Sequence, residues 1–522
     1  MSGVFEKHEL GIPYQPIAEL FAKYRARDPG KTAIVDLDGD SSITFGELDQ
    51  ITTDIAADLK GRGIKKGDRV LLLSDECLEK LLIWFGVWRI GAVICPLNIE
   101  VNEKVMAELT QSVNPKLIFC HKDLDMAALV GDHPAPRLRF GRWAKSGDPH
   151  DEYFVAVPKG RAPAEAPERN NPEDIACIFC TSGTTARPKI VVYDHCAYWL
   201  NGLSTLEFLG LTEDDRTLEY RSFGWNSAQV LSLMPFLEKG LTMHIAKRFS
   251  HSRFFEWIQK HGITFSAGVP TVLNMLLNKP LGYTAKDIPT LRLMTCSTAP
   301  LTAQQWTQFE DMYGVRLLQL YGMSEAGWVC GNRTYKNKIG TVGVPALHQE
   351  FEIVEADGKP VPAGTEGEIT AGGPHTAIGY VRDDGAIEPI RPARIKTGDL
   401  GIMDDEGFVR VSGRTKDLII RGGMNIAPLE IDEVLLKHPG ILDVAAVGVP
   451  DKIYGEEVVC YVAPKDPNLT EASVLQHCAQ YLPAAKMPKQ VVIVAELPKS
   501  DRGKVLRDKL REDWIKRMGI SA

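Results

Sequence analysis

The chain has 522 residues, of which 44% are apolar and 25% are charged, an ordinary composition for a soluble globular protein. Its length predicts roughly three to four domain-sized units. The formal net charge of −8 argues against nucleic acid or an anionic membrane surface as the main partner. No apolar run reaches the ~18 residues of a spanning helix, and no signal peptide is evident, so we expect a cytoplasmic protein without stable membrane insertion.

From about residue 30 the chain alternates strand-like and helix-like runs. This alternation indicates a mainly parallel sheet with helices packed on it, an α/β fold. Residues 147–174 are rich in proline and charge and predict a long surface connection. The predicted strands lie at residues 31–37, 69–74, 92–98 and 116–121, and the predicted helices at 45–63, 76–91 and 103–113.

The alternation of strands and helices resumes in the middle of the chain, and the length and spacing of the strands then change. After about residue 345, short strands separated by turns predict a small β subdomain. From Asp417 onward, strands and helices alternate in an α+β unit of about a hundred residues, whose last helix is predicted at residues 503–518. The strands predicted between the connection at 147–174 and Asp417 lie at residues 241–247, 263–270, 291–297, 315–322, 350–355, 366–373 and 407–414.

The ten cysteines include one Cys-x-x-Cys pair, Cys177 and Cys180. Both lie in an apolar, strand-like run, and no second cysteine pair or histidine cluster stands at metal-ligand spacing. Buried free thiols are therefore predicted in preference to a metal or redox site.

The stretch TSGTTARPK at residues 181–189 places a polar, cationic loop between two apolar runs. Its glycine lets the backbone approach a ligand closely, and its hydroxyls, N–H groups and cations can bind an anion. It lacks the GxxxxGK[ST] spacing, and the residues after it predict strand–loop–strand. Composition alone leaves a phosphate-binding loop and a plain surface turn both open. The candidate binding residues are Thr181, Ser182, Gly183, Thr184, Thr185 and Lys189.

Four other stretches share this polar, turn-rich character: YGMSEAG, KTGDLG, GRTKDLIIRGGMN and PKSDRGKVLR, at residues 321–327, 396–401, 413–425 and 498–507. Each alone is typical of a surface turn. Together, and in this order, they closely resemble the AMP-forming acyl-adenylate superfamily of acyl-CoA synthetases, luciferases and peptide-synthetase adenylation domains. The resemblance spans residues from about 15 to about 510 and is strongest to the acyl-CoA synthetases.

The resemblance implies a two-domain architecture and a two-step reaction. Residues 1–415 would form a large N-terminal domain of parallel-rich sheets with helices and a small β subdomain, which binds AMP and the acid. Residues 416–522 would form a small, mobile α+β lid. The implied substrates and cofactors are a carboxylic acid, ATP, Mg²⁺ and CoA. The acid attacks the α-phosphate of ATP, and the CoA thiol then displaces AMP.

The resemblance also implies roles for individual residues on the nucleotide side. Residues 181–189 would hold the β- and γ-phosphates, and Glu325 would be the catalytic carboxylate that binds Mg²⁺. Ser324 stands where the family usually has threonine and would reach the α-phosphate. The departures Ala186 and Arg187 keep the positive charge of the loop but restrict its backbone. The remaining nucleotide residues are Tyr321 at adenine with Ala299 and Gly322, Asp399 at ribose, and Arg414 at ribose or phosphate.

The C-terminal roles follow in the same way. Lys504 matches the family's lysine that bridges the acid carboxylate and the α-phosphate. The alternative interpretation is a surface lysine at the start of a helix. Lys416 falls at the hinge about which the C-terminal domain would rotate after adenylation. Rotation would remove Lys504 and bring Gly422 and Gly423 against the pantetheine arm, where a glycine pair permits close approach.

The acid pocket departs most from the family pattern. Residues 221–228 lack the aspartate that holds the amine in amino-acid-activating domains, which argues against an amino acid. Trp225 either limits the depth of the pocket or is a core aromatic. A short- to medium-chain, branched or aryl acid is expected, with residues 297–301 forming the opposite wall. The predicted pocket residues are Phe223, Gly224, Trp225, Thr298 and Met323.

Two alternatives to a CoA ligase stay open from the sequence. The same adenylation chemistry can deliver the acyl group to a carrier protein or another acceptor. A catalytically silent relative that only binds nucleotide is a further alternative, which the joint presence of Glu325, Asp399, Arg414 and Lys504 disfavours. A monomer or a homodimer is expected.

Overall fold

The computed structural model describes residues 13–143, 153–154, 157, 159–160, 170–181, 188–298, 301–500 and 504–519. The N-terminal part is built on two large sheets with helices between and around them. Within the described ranges no helix is long and apolar enough to cross a membrane.

The first large sheet has nine strands and is parallel through its centre, with an antiparallel partner at either side. Parallel strands need long crossover connections, which the intervening helices provide. The strands in spatial order are Val344–Pro345, Gly327–Gly331, Arg316–Met323, Leu293–Cys296, Phe265–Ser266, Arg216–Glu219, Thr242–Ile245, Thr32–Asp36 and Ser41–Thr44.

The second large sheet has eight strands, of which five run parallel and three form an antiparallel extension. The predicted parallel-rich α/β architecture is thus confirmed. The strands in spatial order are Ile387–Pro389, Gly379–Val381, Ile190–Asp194, Ile175–Cys180, Val93–Cys95, Arg69–Leu73, Leu117–His121 and Arg137–Phe140.

Helix Leu78–Arg89 is buried along its whole length. A helix that is apolar on all sides needs partners on all sides, and it therefore lies inside the main core of the N-terminal part. The other helices of this part are Ile17–Arg27, Phe45–Gly61, Glu103–Val113, Met126–Val130, His195–Leu209, Asn226–Ala228, Met234–Lys239, Phe254–His261, Pro270–Asn278 and Ala303–Tyr313, with a π-helical segment at Gln229–Leu233.

A four-stranded antiparallel sheet forms the predicted β subdomain, with strands Glu350–Val354, Glu366–Gly372, Ile395–Met403 and Val409–Arg414. A smaller C-terminal domain follows, with its own five-stranded sheet and apolar clusters on both faces of it. The boundary at residues 415/416 stays a prediction. The elements of this domain are strands Ile419–Arg421, Met424–Ile426, Ile441–Asp451, Gly455–Pro464 and Gln490–Ile493, helices Pro428–Leu435, Glu471–Tyr481 and Arg507–Met518, and 3₁₀ turns Thr415–Asp417 and Ala484–Lys486.

Several local predictions were wrong. The last helix begins at Arg507, because residues 499 and 505 pair as a β-bridge before it. The strand expected at 263–270 covers only Phe265–Ser266, since Pro270 starts a helix. The connection 147–174 is not entirely on the surface, because Tyr153 and Phe154 are buried in the main core.

The cysteine prediction is confirmed. All ten cysteines are free and buried. Burial raises the pKa of the Cys177 thiol well above its usual value, so Cys177 stays a neutral, unreactive thiol in its strand.

Candidate functional site

The candidate site lies where the central strands of the nine-stranded sheet end. Strands Arg216–Glu219, Leu293–Cys296 and Arg316–Met323 belong to one parallel array through Phe265–Ser266. Their carboxyl ends therefore meet at one edge, the usual place of ligand sites in open α/β sheets. Three segments leave the sheet at this edge: the acid-pocket segment at 221–228, residues 297–298 and the turn at 324–326.

The proposed phosphate loop joins two antiparallel strands, which confirms the predicted strand–loop–strand arrangement. The Thr181 N–H donates to the carbonyl of Lys189 at 2.8 Å, and the Lys189 N–H donates to Thr181 Oγ1 at 3.1 Å. These bonds close the base of the loop. Ser182, Gly183, Thr184 and Thr185 lie outside the described residues.

Glu325 lies in a tight hairpin between strands Arg316–Met323 and Gly327–Gly331, next to Ser324. The Tyr380 hydroxyl donates to Glu325 Oε1 at 3.2 Å, and the Ala377 N–H donates to the carbonyl of Glu325 at 2.8 Å. Segment 377–380 therefore holds both the backbone and the carboxylate of Glu325.

Gly322 has no room for a side chain in the same hairpin, because a Cβ there would meet the carbonyl oxygen of Gly327 at 2.4 Å. Met323 is the last residue of its strand and is partly exposed. The close pairing at Gly322 keeps the hairpin narrow and sets the direction in which the turn with Ser324 and Glu325 leaves the sheet.

Asp399 is buried and makes two contacts to other predicted site residues. The Tyr321 hydroxyl donates to Asp399 Oδ2 at 2.7 Å, and Arg414 Nε lies 2.8 Å from Asp399 Oδ1. The contact to Arg414 follows from strand register, because Asp399 and Arg414 are paired partners in neighbouring strands. Asp399 thus belongs to the strand Ile395–Met403 and not to the turn that the sequence suggested.

Burial and the negative charge of Asp399 raise the pKa of the Tyr321 hydroxyl, which therefore stays a hydrogen-bond donor. The sequence predicts that the ring of Tyr321 stacks on adenine, whereas the bond to Asp399 uses its hydroxyl. Tyr321 could therefore contact the base and also hold Asp399, the predicted ribose ligand.

Lys504, from the C-terminal domain, lies within electrostatic range of Asp399 and Arg414. It lies in a short hairpin in which the Ser500 N–H donates to the carbonyl of Lys504 at 2.8 Å, and the Lys504 N–H donates to Ser500 Oγ at 3.2 Å. Burial, and then the cations Arg414 and Lys416, lower the pKa of Lys504 to about 8, while Asp399 acts in the opposite direction. The interpretation of Lys504 as a helix-start surface lysine is wrong.

The acid-pocket residues differ in burial. Phe223 is buried and its carbonyl accepts a hydrogen bond from Gln229 Nε2 at 2.6 Å. A Cβ at Gly224 would stand 3.2 Å from the carbonyl oxygen of Pro96, so only glycine passes there without a shift. Trp225 is partly exposed and belongs to none of the apolar core clusters of the described residues, which favours a pocket position.

The opposite wall is described in part. Thr298 is exposed and has φ of 77°, a backbone conformation that only glycine adopts readily. Such strain is found where a fixed backbone serves a site. Ala299 lies outside the described residues.

The residues predicted for the hinge and for the thiol step are exposed on the surface. Lys416 is exposed in the 3₁₀ turn Thr415–Asp417, between the last subdomain strand and the C-terminal sheet. Gly422 and Gly423 form an exposed hairpin turn with φ of 57° and 85°. In this arrangement Lys504 lies within electrostatic range of Arg414 and Asp399, whereas the glycine pair faces solvent.

The sequence missed Tyr380, which contacts Glu325 and lies under Lys189, whose Nζ is 4.9 Å from the centre of its ring. Tyr380 lies about 55 residues from Glu325 and almost 200 from Lys189. Spacing therefore gave no signal, since only the pairing of strands Gly379–Val381 and Ile190–Asp194 brings these residues together.

The residues present fit Mg²⁺ bound together with a nucleotide. In the described part of the chain no group of three or more His, Cys, Asp or Glu could hold an ion. Mg²⁺ in phosphate sites is commonly held by one or two carboxylates, substrate phosphates and water. Glu325 supplies such a carboxylate, and Tyr380 connects it to Lys189 at the end of the phosphate loop.

Comparison with known proteins agrees with this geometry. The family model described as AMP-binding enzyme matches residues 21–381, and the AMP-binding enzyme C-terminal domain matches residues 430–504. Sulfoacetate–CoA ligase of Cupriavidus necator is 30% identical over 510 residues, 95% of this chain and 97% of that protein. Feruloyl-CoA synthase of an Amycolatopsis species is 30% identical over 497 residues, 93% of this chain and 97% of that protein.

A solved structure is similar over the same length. The crystal structure of ATP-bound MatB from Rhodopseudomonas palustris has a TM-score of 0.84 and 28% identity, covering 95% of this chain and 99% of that chain. The family matches take in both the sheet edge with Glu325 and the hairpin that carries Lys504. The chain therefore belongs to the AMP-binding enzymes, the AMP-forming acyl-adenylate superfamily, and within it is most like an acyl-CoA synthetase.

Proposed function

We propose that this protein is an ATP-dependent acid–CoA ligase. A carboxylate oxygen attacks the α-phosphorus of ATP, giving acyl-AMP and pyrophosphate. The CoA thiol then attacks the acyl carbon, giving the thioester, AMP and one proton. The observation that carries the proposal is that Lys504 lies within electrostatic range of the Arg414–Asp399 ion pair, since this brings a C-terminal ammonium towards the proposed ribose ligand.

The first step needs positive charge where negative charge accumulates. Positioning and electrostatic stabilisation carry most of the catalysis in such phosphoryl chemistry. Lys189 would neutralise the outer phosphates, Lys504 would bridge the acid carboxylate and the α-phosphate, and Ser324 would donate to the α-phosphate. Mg²⁺ bound at Glu325 would add a divalent charge to the phosphates.

Asp399 and Tyr321 would hold the nucleoside. Asp399 Oδ2 accepts from Tyr321 and Oδ1 faces Arg414, and each carboxylate oxygen has a second lone pair for a ribose hydroxyl. The ion pair also fixes the carboxylate before ATP arrives, which lowers the entropy lost on binding.

The second step would use the opposite face of the C-terminal domain. The exposure of Gly422 and Gly423 supports a rotation about Lys416 that brings this turn to the acyl-adenylate and withdraws Lys504. CoA is the proposed acceptor because the named relatives are CoA ligases. A carrier protein is the alternative acceptor.

The proposed acid is short to medium in length, branched or aryl, and carries no amine. Trp225 and Phe223 would form the apolar part of the pocket. Arg221 and Ser297, on the two segments that would enclose the acid, each keep one buried polar atom without a hydrogen-bond partner among the described residues. Both groups can donate a hydrogen bond to an anionic oxygen of the substrate. Acids with a second, distal carboxylate or a sulfonate therefore belong in the substrate screen. The proposed enzyme acts in the cytoplasm, as a monomer or homodimer.

The experiment that tests the proposal is pyrophosphate release with ATP and Mg²⁺ across a panel of acids, with and without CoA. The panel would include acetate to dodecanoate, branched, benzoic and phenylpropenoic acids, dicarboxylates, sulfoacetate and amino acids. We expect turnover only with one class of acid and only when CoA is present. Repeated turnover without CoA would point to another acceptor, and ATP binding without any pyrophosphate release would favour the silent relative.

A further inference from the structure

Tyr380 stands at the junction of two functional segments that are far apart in sequence. It lies on the strand Gly379–Val381 and is the paired partner of Val191, two residues after Lys189. The adjacent Val381 pairs with Ile190, the residue that directly follows Lys189. Its strand therefore forms the neighbour of the strand that leaves the proposed phosphate loop.

The hydroxyl of Tyr380 restrains the proposed magnesium carboxylate. It donates to Glu325 Oε1 at 3.2 Å. The phenolic O–H is the donor of this pair, because an ionised carboxylate can only accept. This bond occupies one lone pair of Oε1 and restricts rotation of the carboxylate.

The ring of Tyr380 restrains the proposed phosphate lysine. Lys189 Nζ lies 4.9 Å from the ring centre, within the range of a cation–π contact. One side chain thus contacts the carboxylate through its hydroxyl and the ammonium through its ring.

The segment that carries Tyr380 is itself fixed to the Glu325 hairpin. The Ala377 N–H donates to the carbonyl of Glu325 at 2.8 Å. Asn201, which is fully buried, donates to the carbonyl of His375 at 2.8 Å and accepts from the Trp328 N–H at 2.8 Å. The segment before Tyr380 is therefore fixed to the hairpin at Glu325 directly and at Trp328 through Asn201.

We propose that Tyr380 is a positioning residue that presets Glu325 for Mg²⁺ and Lys189 for phosphate, and so couples metal binding to nucleotide binding. The inference rests on the proposed function, since it assumes that this edge binds Mg²⁺ and ATP. Outer groups that orient a metal ligand typically change metal affinity by about 10- to 100-fold when removed. The hydroxyl should therefore matter when Mg²⁺ is present, and the ring should matter with or without it.

The test is ATP binding by titration calorimetry without acid or CoA, once with Mg²⁺ and once with a chelator. Tyr380→Phe should weaken ATP binding about tenfold in Mg²⁺ and leave binding in the chelator within about twofold. Tyr380→Leu should weaken ATP binding by severalfold in the chelator as well, because the cation–π contact is also lost. Neither result depends on turnover.

Tyr335→Phe is the matched control, because Tyr335 also donates its hydroxyl to a carboxylate, that of Glu207, but is exposed on the surface. It should leave both affinities unchanged. Equal losses for Tyr380→Phe with and without Mg²⁺, or no loss in either, would overturn the inference while the proposed function stands. Absence of ATP binding by the wild-type protein in both conditions would overturn both.

Discussion

At the scale of single residues, Lys504 is held in an unfavourable place for a charge. It is partly buried, and the charges of two cations, Arg414 and Lys416, act on it. Both effects disfavour the ammonium, which lowers its pKa to about 8. The anionic phosphates of ATP and the carboxylate of the acid would offset this cost. The same surroundings that make Lys504 costly without substrates therefore favour substrates that bring negative charge.

We predict that kcat/KM for acyl-adenylate formation falls as pH rises through about 8. A lysine is charged below its pKa and neutral above it, and kcat/KM reports the free enzyme. Adenylation would be measured by acid-dependent pyrophosphate exchange from pH 6.5 to 10. Lys504→Gln should lose about 10²- to 10³-fold and show no descending limb. Lys504→Arg should keep activity at high pH, and a descending limb that persists in Lys504→Arg would assign it to another group.

Asp399 gives a second prediction at this scale. Asp399→Asn removes the charge that faces Arg414 and weakens acceptance of ribose hydroxyls. We expect the KM for ATP to rise about tenfold, as for the loss of one hydrogen bond to a charged group. Asp357→Asn is the control, because it removes an aspartate paired with Lys359 on the exposed surface. Similar effects of both substitutions on KM would argue against a ribose role.

The sequence predicted which polar residues would gather, but not how they contact one another. Glu325, Asp399 and Lys504 were found because each lies in a short local pattern. Tyr380 was missed because its role arises only from the pairing of distant strands. The hydrogen bond between Tyr321 and Asp399 was missed for the same reason, since a hydroxyl on an aromatic residue gives no signal of its partner.

At the scale of elements, the hairpin around Glu325 depends on Gly327 as well as on Gly322. Gly327 has φ of 64°, and a Cβ there would stand 2.2 Å from Asn201 Oδ1. Asn201 is the residue that joins this hairpin to the segment before Tyr380. A side chain at Gly327 would therefore disturb both the turn and the contacts that fix Glu325.

We predict that Gly327→Ala lowers the free energy of unfolding by about 3 kcal/mol, the sum of backbone strain and overpacking. Gly282→Ala should cost only about 1 kcal/mol. Gly282 has φ of 78°, but nothing lies within 4 Å of its added Cβ. The loss at Gly282 therefore measures the cost of backbone strain without overpacking. Urea unfolding followed by tryptophan fluorescence measures both. Equal losses would mean that the contact with Asn201 is unimportant.

Element prediction succeeded where apolar runs were long and failed at their ends. Helix Leu78–Arg89 and the strand Leu117–His121 were evident from hydrophobicity alone. The last helix was placed four residues too early, because Lys504 and Val505 suit a helix by composition but pair back onto Lys499. The strand Ile395–Met403 was missed because its glycines and Asp399 are typical of a turn.

At the scale of the whole molecule, the C-terminal domain has two proposed functions, adenylation and thioester formation, which it cannot perform at the same moment. Lys504 lies within electrostatic range of Arg414 and Asp399, whereas Gly422 and Gly423 face solvent. One rigid arrangement cannot present both faces to the same adenylate. We therefore propose a rearrangement between the two steps, for which the connection at Thr415–Asp417 would supply a few backbone angles.

We predict that Lys416→Pro separates the two steps. Proline fixes φ near −65°, a value within the range of the 3₁₀ turn Thr415–Asp417, so the adenylation arrangement should be retained while rotation is blocked. Pyrophosphate exchange should stay within about threefold of wild type, whereas thioester formation from preformed acyl-AMP should fall by about 10²-fold or more.

Lys416→Ala is the matched control, since it removes the same side chain but leaves the backbone free. It should keep both rates close to wild type, apart from a rise in the pKa of Lys504, because one of its two cationic neighbours is lost. If Lys416→Pro slowed both steps equally, the substitution would have damaged the fold, which the unfolding profile would reveal. If it slowed neither, the domain would rotate about another residue, and the exposed glycine pair would reach the adenylate by a movement that does not involve Lys416.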